Sequence, residues 1–323
     1  MRAMIFEEFG GPEVLHPVDL PEPSPGPGEV AIDVAYAGVN FADIRARAEG
    51  YRVPALPFRP GLEVAGRVRA VGEGVTDVAP GEEVTAFLSG GGYSEVAVAP
   101  AATTFALPDG VDLRTAAAMP SVLPTAQALL HDVARLREGD TVLVHSAAGG
   151  VGTVAGQLAR LGGASAVYGV VSSMDKAPHA LKSGYDQVFL TPAFDEDVLA
   201  ATGGRGVDIA LDPIGGETFR RTLAVTARFG RLVSFGDTGA ETPWQVGPAE
   251  VYPLAKSVAG FSLMGLAAAD PLRLRELAHD AFAAVQDGGV ELPVTAEVPL
   301  TEAAEAHRMV ESRTTTGKLL LKV

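Results

Sequence analysis

The stretch GDTVLVHSAAGGVGTVAGQLAR, Gly139 to Arg160, reads as strand, glycine turn and helix. Thr141 to His145 is a short valine-rich apolar run, the pattern of a buried strand. Ala147 to Gly152 is the turn, and Val154, Ala155, Leu158 and Leu161 then recur at helical spacing. Such a turn directs the first N–H groups of the helix at one point, where partial positive charge and unpaired donors favour a phosphate. Against the dinucleotide fingerprint G-x-G-x-x-G, Ala147 takes the first place and Gly149 and Gly152 the second and third. Ala148, Gly149, Gly150, Val151 and Gly152 are therefore the expected pyrophosphate cradle, small because the backbone must approach the ligand closely.

Outward from this stretch, the second half alternates strand and helix. Strands are expected near Val142–His145, Ala166–Val171, Gln187–Leu190, Val207–Asp212, Arg231–Phe235 and Ala259–Leu263. Helices are expected at Val151–Leu161, Lys176–Ser183, Phe194–Thr202 and Glu217–Val225. This rhythm predicts an α/β domain with a parallel, doubly wound Rossmann sheet. The first 120 residues differ. Met1–Phe9, Val30–Ala37, Val64–Val71, Glu83–Phe87 and Tyr93–Ala99 are short strands separated by glycine and proline, an antiparallel pattern. A helical run ends near Gly50, and Tyr51 to Pro60 carries three prolines and is expected to be extended. The chain closes with helices near Leu272–Gln286 and Thr301–Ser312 and a strand at Lys318–Val323.

The totals narrow the function. At 323 residues the chain is long enough for two cores. A net charge of −15 repels phosphate backbones, so nucleic acid is not expected as a partner. The absence of cysteine removes disulfides, thiolate catalysis and cysteine-bound zinc. The uncharged run Thr141–Ala159 approaches membrane-span length, yet its glycines, His145, Ser146 and Gln157 suit a nucleotide turn, so no membrane span is expected. The start, MRAMIFEEFGG, lacks the apolar core of a secretory signal, and a cytoplasmic location is the expectation.

Gly139-Asp140, Leu143, Ala147-Ala148-Gly149-Gly150, Gly152, Gln157 and Arg160 together resemble the signature of the quinone oxidoreductase and zeta-crystallin family of zinc-independent medium-chain dehydrogenases/reductases. The resemblance extends over essentially the whole chain. Gly61, Glu63, Gly66, Gly72, Val75, Gly81 and Val84 fit the β domain, while Thr125, Asp212, Gly215-Gly216 and Ser234-Phe235-Gly236 fit the nucleotide domain. It implies a discontinuous GroES-like catalytic domain, residues 1–120 and 265–323, and an NADPH-binding Rossmann domain, residues 121–264, with the active site in the cleft between them. It also implies a homodimer built through the segment Ala255–Leu266 at the edge of the nucleotide sheet.

The cofactor reading rests on the end of the second nucleotide strand. An NAD-preferring fold places an acid there; this chain offers Ser172-Ser173-Met174-Asp175-Lys176, 23 residues after Gly149. Two hydroxyls and a lysine suit a 2′-phosphate, so Ser172, Ser173 and Lys176 point to NADPH. Leu190 departs from family members that carry a tyrosine near this place. By resemblance, Asn40, Thr125 and the backbone of Ser234, Phe235 and Gly236 contact the cofactor, and Arg313 sits where a C-terminal arginine of the family reaches it.

For chemistry, Asn40 and Leu62 stand where the zinc-dependent relatives carry cysteine and histidine, and the histidines are scattered, so no metal is expected. A reductase without metal stabilises charge on the acceptor with hydrogen-bond donors. Asn40 offers an amide and Tyr51 a phenol, and both match cleft positions of the family. The resemblance thus implies hydride transfer from NADPH to a quinone or an electron-poor enone, with Asn40 and Tyr51 polarising the acceptor. An enoyl-thioester reductase, a biosynthetic tailoring reductase, and a zeta-crystallin-like structural or RNA-binding role stay open at this point.

Overall fold

The computed structural model describes residues 1–236, 238 and 244–323. They divide into two units: Met1–Val122 with Leu266–Gln286 and Leu292–Val323, and Leu123–Gly265 with Asp287–Glu291.

The first unit opens with β1 (Arg2–Ile5) and β2 (His16–Asp19), an antiparallel pair. β1 is shorter than the strand expected from Met1 to Phe9, because Phe6 bridges to Phe58 instead of continuing the pair. β3 (Glu29–Val39) leads into helix α1 (Phe41–Glu49), and β4 (Glu63–Val71), β5 (Glu83–Phe87), β6 (Val96–Pro100) and β7 (Thr104–Ala106) follow. β3 is central: it pairs antiparallel with β4 and, at its other edge, with β6 and β15 (Lys318–Lys322). Along β4 and β5 the inward residues Val64, Val84 and Ala86 are fully buried and pack with Ile32, Tyr93, Leu319 and Leu321. A short helix, α2 (Leu113–Ala116), is capped by Asp112, whose carboxylate accepts from the Thr115 N–H at 2.7 Å.

The second unit starts within α3 (Val122–Gln127), which runs on as a π-helical turn, Ala128–Val133. Sequence periodicity misses this helix because Pro124 falls inside it; at a helix start a missing N–H costs nothing. β8 (Thr141–His145), α4 (Gly150–Leu161), β9 (Ala166–Val171), α5 (Ala177–Lys182), β10 (Gln187–Leu190), α6 (Phe194–Ala201), β11 (Val207–Asp212), α7 (Gly216–Ala224) and β12 (Thr226–Ser234) alternate as expected. After α8 (Pro248–Val251), β13 (Ser257–Gly260) completes a parallel sheet ordered β10-β9-β8-β11-β12-β13. This is the 3-2-1-4-5-6 order of doubly wound dinucleotide folds. β8 at its centre is buried at every residue.

The last strand of this sheet differs from the expected Ala259–Leu263. Ser262 ends it, because its hydroxyl accepts the Gly265 N–H at 3.1 Å and starts α9 (Leu263–Ala269) from the apolar run that follows. The chain then forms α10 (Pro271–Gln286), β14 (Val294–Pro299), α11 (Ala303–Glu311) and β15. β14, absent from the sequence reading, pairs parallel with β15.

Candidate active site

In the second unit, the cradle residues Ala148 to Gly152 lie where β8 turns into α4. Gly149 is the N-cap of a twelve-residue helix, and Gly149, Gly150 and Val151 are half-buried, so the first turn, whose N–H groups have no partner within the helix, is not closed off. Gly152 instead allows close packing, since a Cβ there would meet the Ala147 backbone at 2.8 Å. The Gly152 carbonyl accepts the Tyr185 hydroxyl at 2.6 Å, and Gly156, one turn on, lets the Tyr185 ring pack against the helix. The glycines thus divide between presenting amides and seating the helix on the sheet.

The neighbouring end of β9 places Ser172, exposed, directly after Val171. No acid stands at that first position. Ser173 is committed locally, accepting the Asp175 N–H at 3.3 Å and donating to its carboxylate at 3.2 Å. Lys176 closes the same short turn, Met174–Lys176. Half-exposed amides at a helix start, with a hydroxyl and a lysine beside them, fit a dinucleotide that carries a 2′-phosphate. Ser234, Phe235 and Gly236 leave the end of β12, beside β11: the Phe235 N–H donates to Asp212 O at 3.0 Å. Thr125 is buried in α3. Asp212, not singled out as a site residue from sequence, is fully buried and accepts the N–H groups of Ile214 at 2.7 Å and Gly215 at 3.2 Å. Burial raises its carboxyl to about 6, against the lowering effect of those two bonds. The visible signal was an acid ending an apolar strand, just before Pro213.

In the first unit, Asn40 is the N-cap of α1, and its side chain joins a buried network. Its Nδ2 donates to Glu63 Oε1 at 2.9 Å, and its Oδ1 accepts from Lys318 Nζ at 2.8 Å. Lys318 Nζ also donates to Glu63 Oε1 at 2.5 Å and to Val39 O at 3.2 Å, and the Ser121 N–H donates to Glu63 Oε2 at 2.9 Å. Glu63 is 0% and Lys318 4% exposed. A Cβ on Gly38 would fall on the Glu63 carboxylate, so that glycine makes room for the network. Sequence reading placed Glu63 in the family pattern and missed Lys318, which is 255 residues away in the chain.

Tyr51 stands at the other end of α1, after Gly50, whose φ of 75° suits glycine. Nine helical residues, roughly 14 Å of rise, separate it from Asn40. Its ring lies under the Arg45 guanidinium, 4.7 Å from the ring centre. The two donors therefore stand at opposite ends of one helix. Arg313 is exposed just beyond α11, with φ 55°.

Beneath the network, Asp43 accepts the N–H groups of Asn40 at 2.9 Å and Gly61 at 3.0 Å, and the Tyr93 hydroxyl lies 3.3 Å from His307 Nε2. Burial pushes the Asp43 carboxyl up to about 7; the two N–H groups and Lys318 pull it down and Glu63 adds to the rise. Burial, then the Arg47 charge, push the His307 imidazole down to about 3. The acid contributes stability fully below its unfolded value and loses it as pH rises to 7. The histidine contributes fully above 6.5 and loses it as pH falls toward 3. From about pH 4 to 6.5 the two slopes oppose. His307→Gln is therefore expected to expose the Asp43 slope, a fall in stability of up to roughly 1.4 kcal/mol per pH unit between about pH 4 and 7. Denaturation midpoints across that range test this; a flat profile in the variant would refute it.

Among the described residues, no group of three His, Cys, Asp or Glu side chains is placed to hold a metal ion, and no helix is long and apolar enough to cross a membrane.

A doubly wound 3-2-1-4-5-6 sheet with its glycine turn, on one chain with an antiparallel β unit, defines a dinucleotide-binding protein with a second, β-rich unit. Comparison with known proteins agrees. The family model for the alcohol dehydrogenase GroES-like domain matches residues 26–109, and that for zinc-binding dehydrogenases matches residues 150–280. A quinone oxidoreductase of Pseudomonas aeruginosa is 35% identical over 325 residues, covering 98% of each chain. The quinone oxidoreductase of Rattus norvegicus is 33% identical, covering 99% of this chain and 97% of its own. The structure of Escherichia coli quinone oxidoreductase complexed with NADPH superposes with a TM-score of 0.91 at 32% identity and full coverage of both chains. This chain belongs to the quinone oxidoreductase family, and it is an oxidoreductase.

Proposed function

We propose that this protein is an NADPH-dependent oxidoreductase that reduces a quinone, or a similar electron-poor enone, without a metal. The observation that carries the reading is the Asn40 amide, held by Glu63 and Lys318 at the start of α1. Bound NADPH supplies the hydride. The first-turn amides of α4 bind the pyrophosphate, Ser172 and Lys176 receive the 2′-phosphate, and Thr125 with the backbone of Ser234–Gly236 orients the nicotinamide end. Arg313 adds a further contact to the cofactor.

Asn40 donates a hydrogen bond to the acceptor oxygen as negative charge grows there, and Tyr51 donates a hydrogen bond or a proton. A metal is unnecessary in this scheme, because the place taken by a zinc-binding cysteine in relatives holds Asn40, with an ammonium group 2.8 Å from its Oδ1. Asn40→Ala with Tyr51→Phe is expected to lower turnover of a simple quinone by about 100-fold, as removal of a charge-stabilising donor does. Intact turnover in the double variant would refute both roles. The same reading includes a second copy paired along the β13 edge, and light scattering at micromolar concentration is expected to give a dimer mass.

A further inference from the structure

We propose that Lys318 is a positioning residue that locks the Asn40 side chain in one of its two orientations, so that it meets the acceptor only as a hydrogen-bond donor. The inference rests on the reading that Asn40 touches the acceptor. An asparagine amide can turn over, exchanging oxygen and nitrogen, and each orientation offers a different face. Here the neighbours decide. The Lys318 ammonium has no acceptor and lies on Oδ1 at 2.8 Å, while the Glu63 carboxylate accepts from Nδ2 at 2.9 Å. Turning the amide over would place its N–H groups against an ammonium and its oxygen against a carboxylate, both repulsive.

All three protons of Lys318 are used, by Val39 O, Asn40 Oδ1 and Glu63 Oε1, so the ammonium is itself fixed. One N–H of Nδ2 goes to Glu63, and the second has no partner among the described residues. Asn40 is half-buried, whereas Lys318 and Glu63 are closed off, so that second N–H is the polar group the cluster leaves for a ligand. An acceptor bearing a carbonyl oxygen matches it; a group presenting an O–H or N–H does not. The ammonium on Oδ1 also draws electron density from the amide and strengthens the remaining N–H as a donor.

The test uses a property of this sequence: Asn40 is the only asparagine in the 323 residues. Selective ¹⁵N-asparagine labelling therefore gives a single side-chain NH₂ signal. In cofactor-free protein the two protons are expected to be well separated and slow to exchange, and in Lys318→Met to collapse toward free-amide behaviour while the backbone spectrum stays folded. Quinone turnover is then measured for wild type, Lys318→Met, Asn40→Ala and the double variant. Lys318→Met is expected to lower kcat by about tenfold or more with KM little changed, as small misplacement of a reacting group does. It should add no further loss in the Asn40→Ala background. An unchanged NH₂ signal, or an equal Lys318→Met loss in both backgrounds, would overturn the positioning role and leave that of Asn40 standing. Full turnover in Asn40→Ala would overturn both. If Lys318→Met fails to fold with Glu63 left unpaired, the pair Lys318→Met and Glu63→Gln removes the stranded charge, and its comparison with Glu63→Gln alone, which keeps the ammonium on Oδ1, isolates the effect of Lys318.

Discussion

Replacing Glu63 by alanine is expected to cost about 3–5 kcal/mol of stability, the range for breaking a buried ion pair by removing one partner. The carboxylate is 0% exposed and receives three donors, from Asn40, Lys318 and the Ser121 N–H. The variant leaves the Lys318 ammonium, 4% exposed, with two neutral oxygens, and takes the carboxylate away from the Ser121 N–H. For a protein of 323 residues the loss corresponds to roughly 4–7 °C in Tm. The comparison that isolates the mechanism is Glu63→Gln with Lys318→Met, which removes both charges and is expected to recover most of the loss, since neutral replacement of a buried pair is often tolerated. Thermal melts of the two variants decide it. Equal destabilisation would mean that packing, not the stranded charge, sets the cost.

Ser172→Asp is expected to reverse the cofactor preference, weakening NADPH relative to NADH by about 100-fold. Ser172 is exposed directly after β9, where a carboxylate would accept the ribose hydroxyls of NADH and repel a 2′-phosphate. Two like charges about 4 Å apart near a protein surface repel by roughly 4 kcal/mol before salt screening, and a shift of about 100-fold requires about 2.7 kcal/mol. Lys176→Ala should move the ratio the same way by about tenfold, through loss of a charge-assisted contact. Asp175 sharpens the expectation. Its carboxylate accepts from the Ser173 hydroxyl, which draws both side chains into the turn, so the proposed phosphate contacts are those of Ser172 and Lys176. Dissociation constants for both cofactors, read by fluorescence titration, test this. A ratio that stays put in both variants would place the 2′-phosphate elsewhere.

The glycine turn between β8 and α4 was legible because its determinants are local. Strand, small-residue turn and helix follow one another within Gly139–Arg160, and the periodicity of each element is set by its own backbone. The alternation after it dictated a parallel sheet, and the sheet is there. Elements whose boundaries depend on a single side chain were harder. Ser262 ends β13 by capping α9, and Pro124 hides the start of α3, in both cases within an apolar run that reads equally well as strand or helix.

The candidate site divides along the same line. Asn40 and Tyr51 could be picked out by residue type and by resemblance, but their relation could not: a helix of nine residues stands between them. Lys318 carried no signal at all in sequence, since one lysine in a terminal strand normally reads as a solvated charge. Only the pairing of β15 with β3, which sets Leu319 opposite Val39, brings its ammonium to Glu63 and Asn40. The sequence by itself determined the class of fold, the strand, glycine turn and helix of Gly139–Arg160 and the kind of cofactor, because these follow from short-range periodicity and the chemistry of neighbouring residues. The tertiary structure alone decided which charges are buried together and which way the Asn40 amide faces, because those depend on strand pairing between segments more than 250 residues apart.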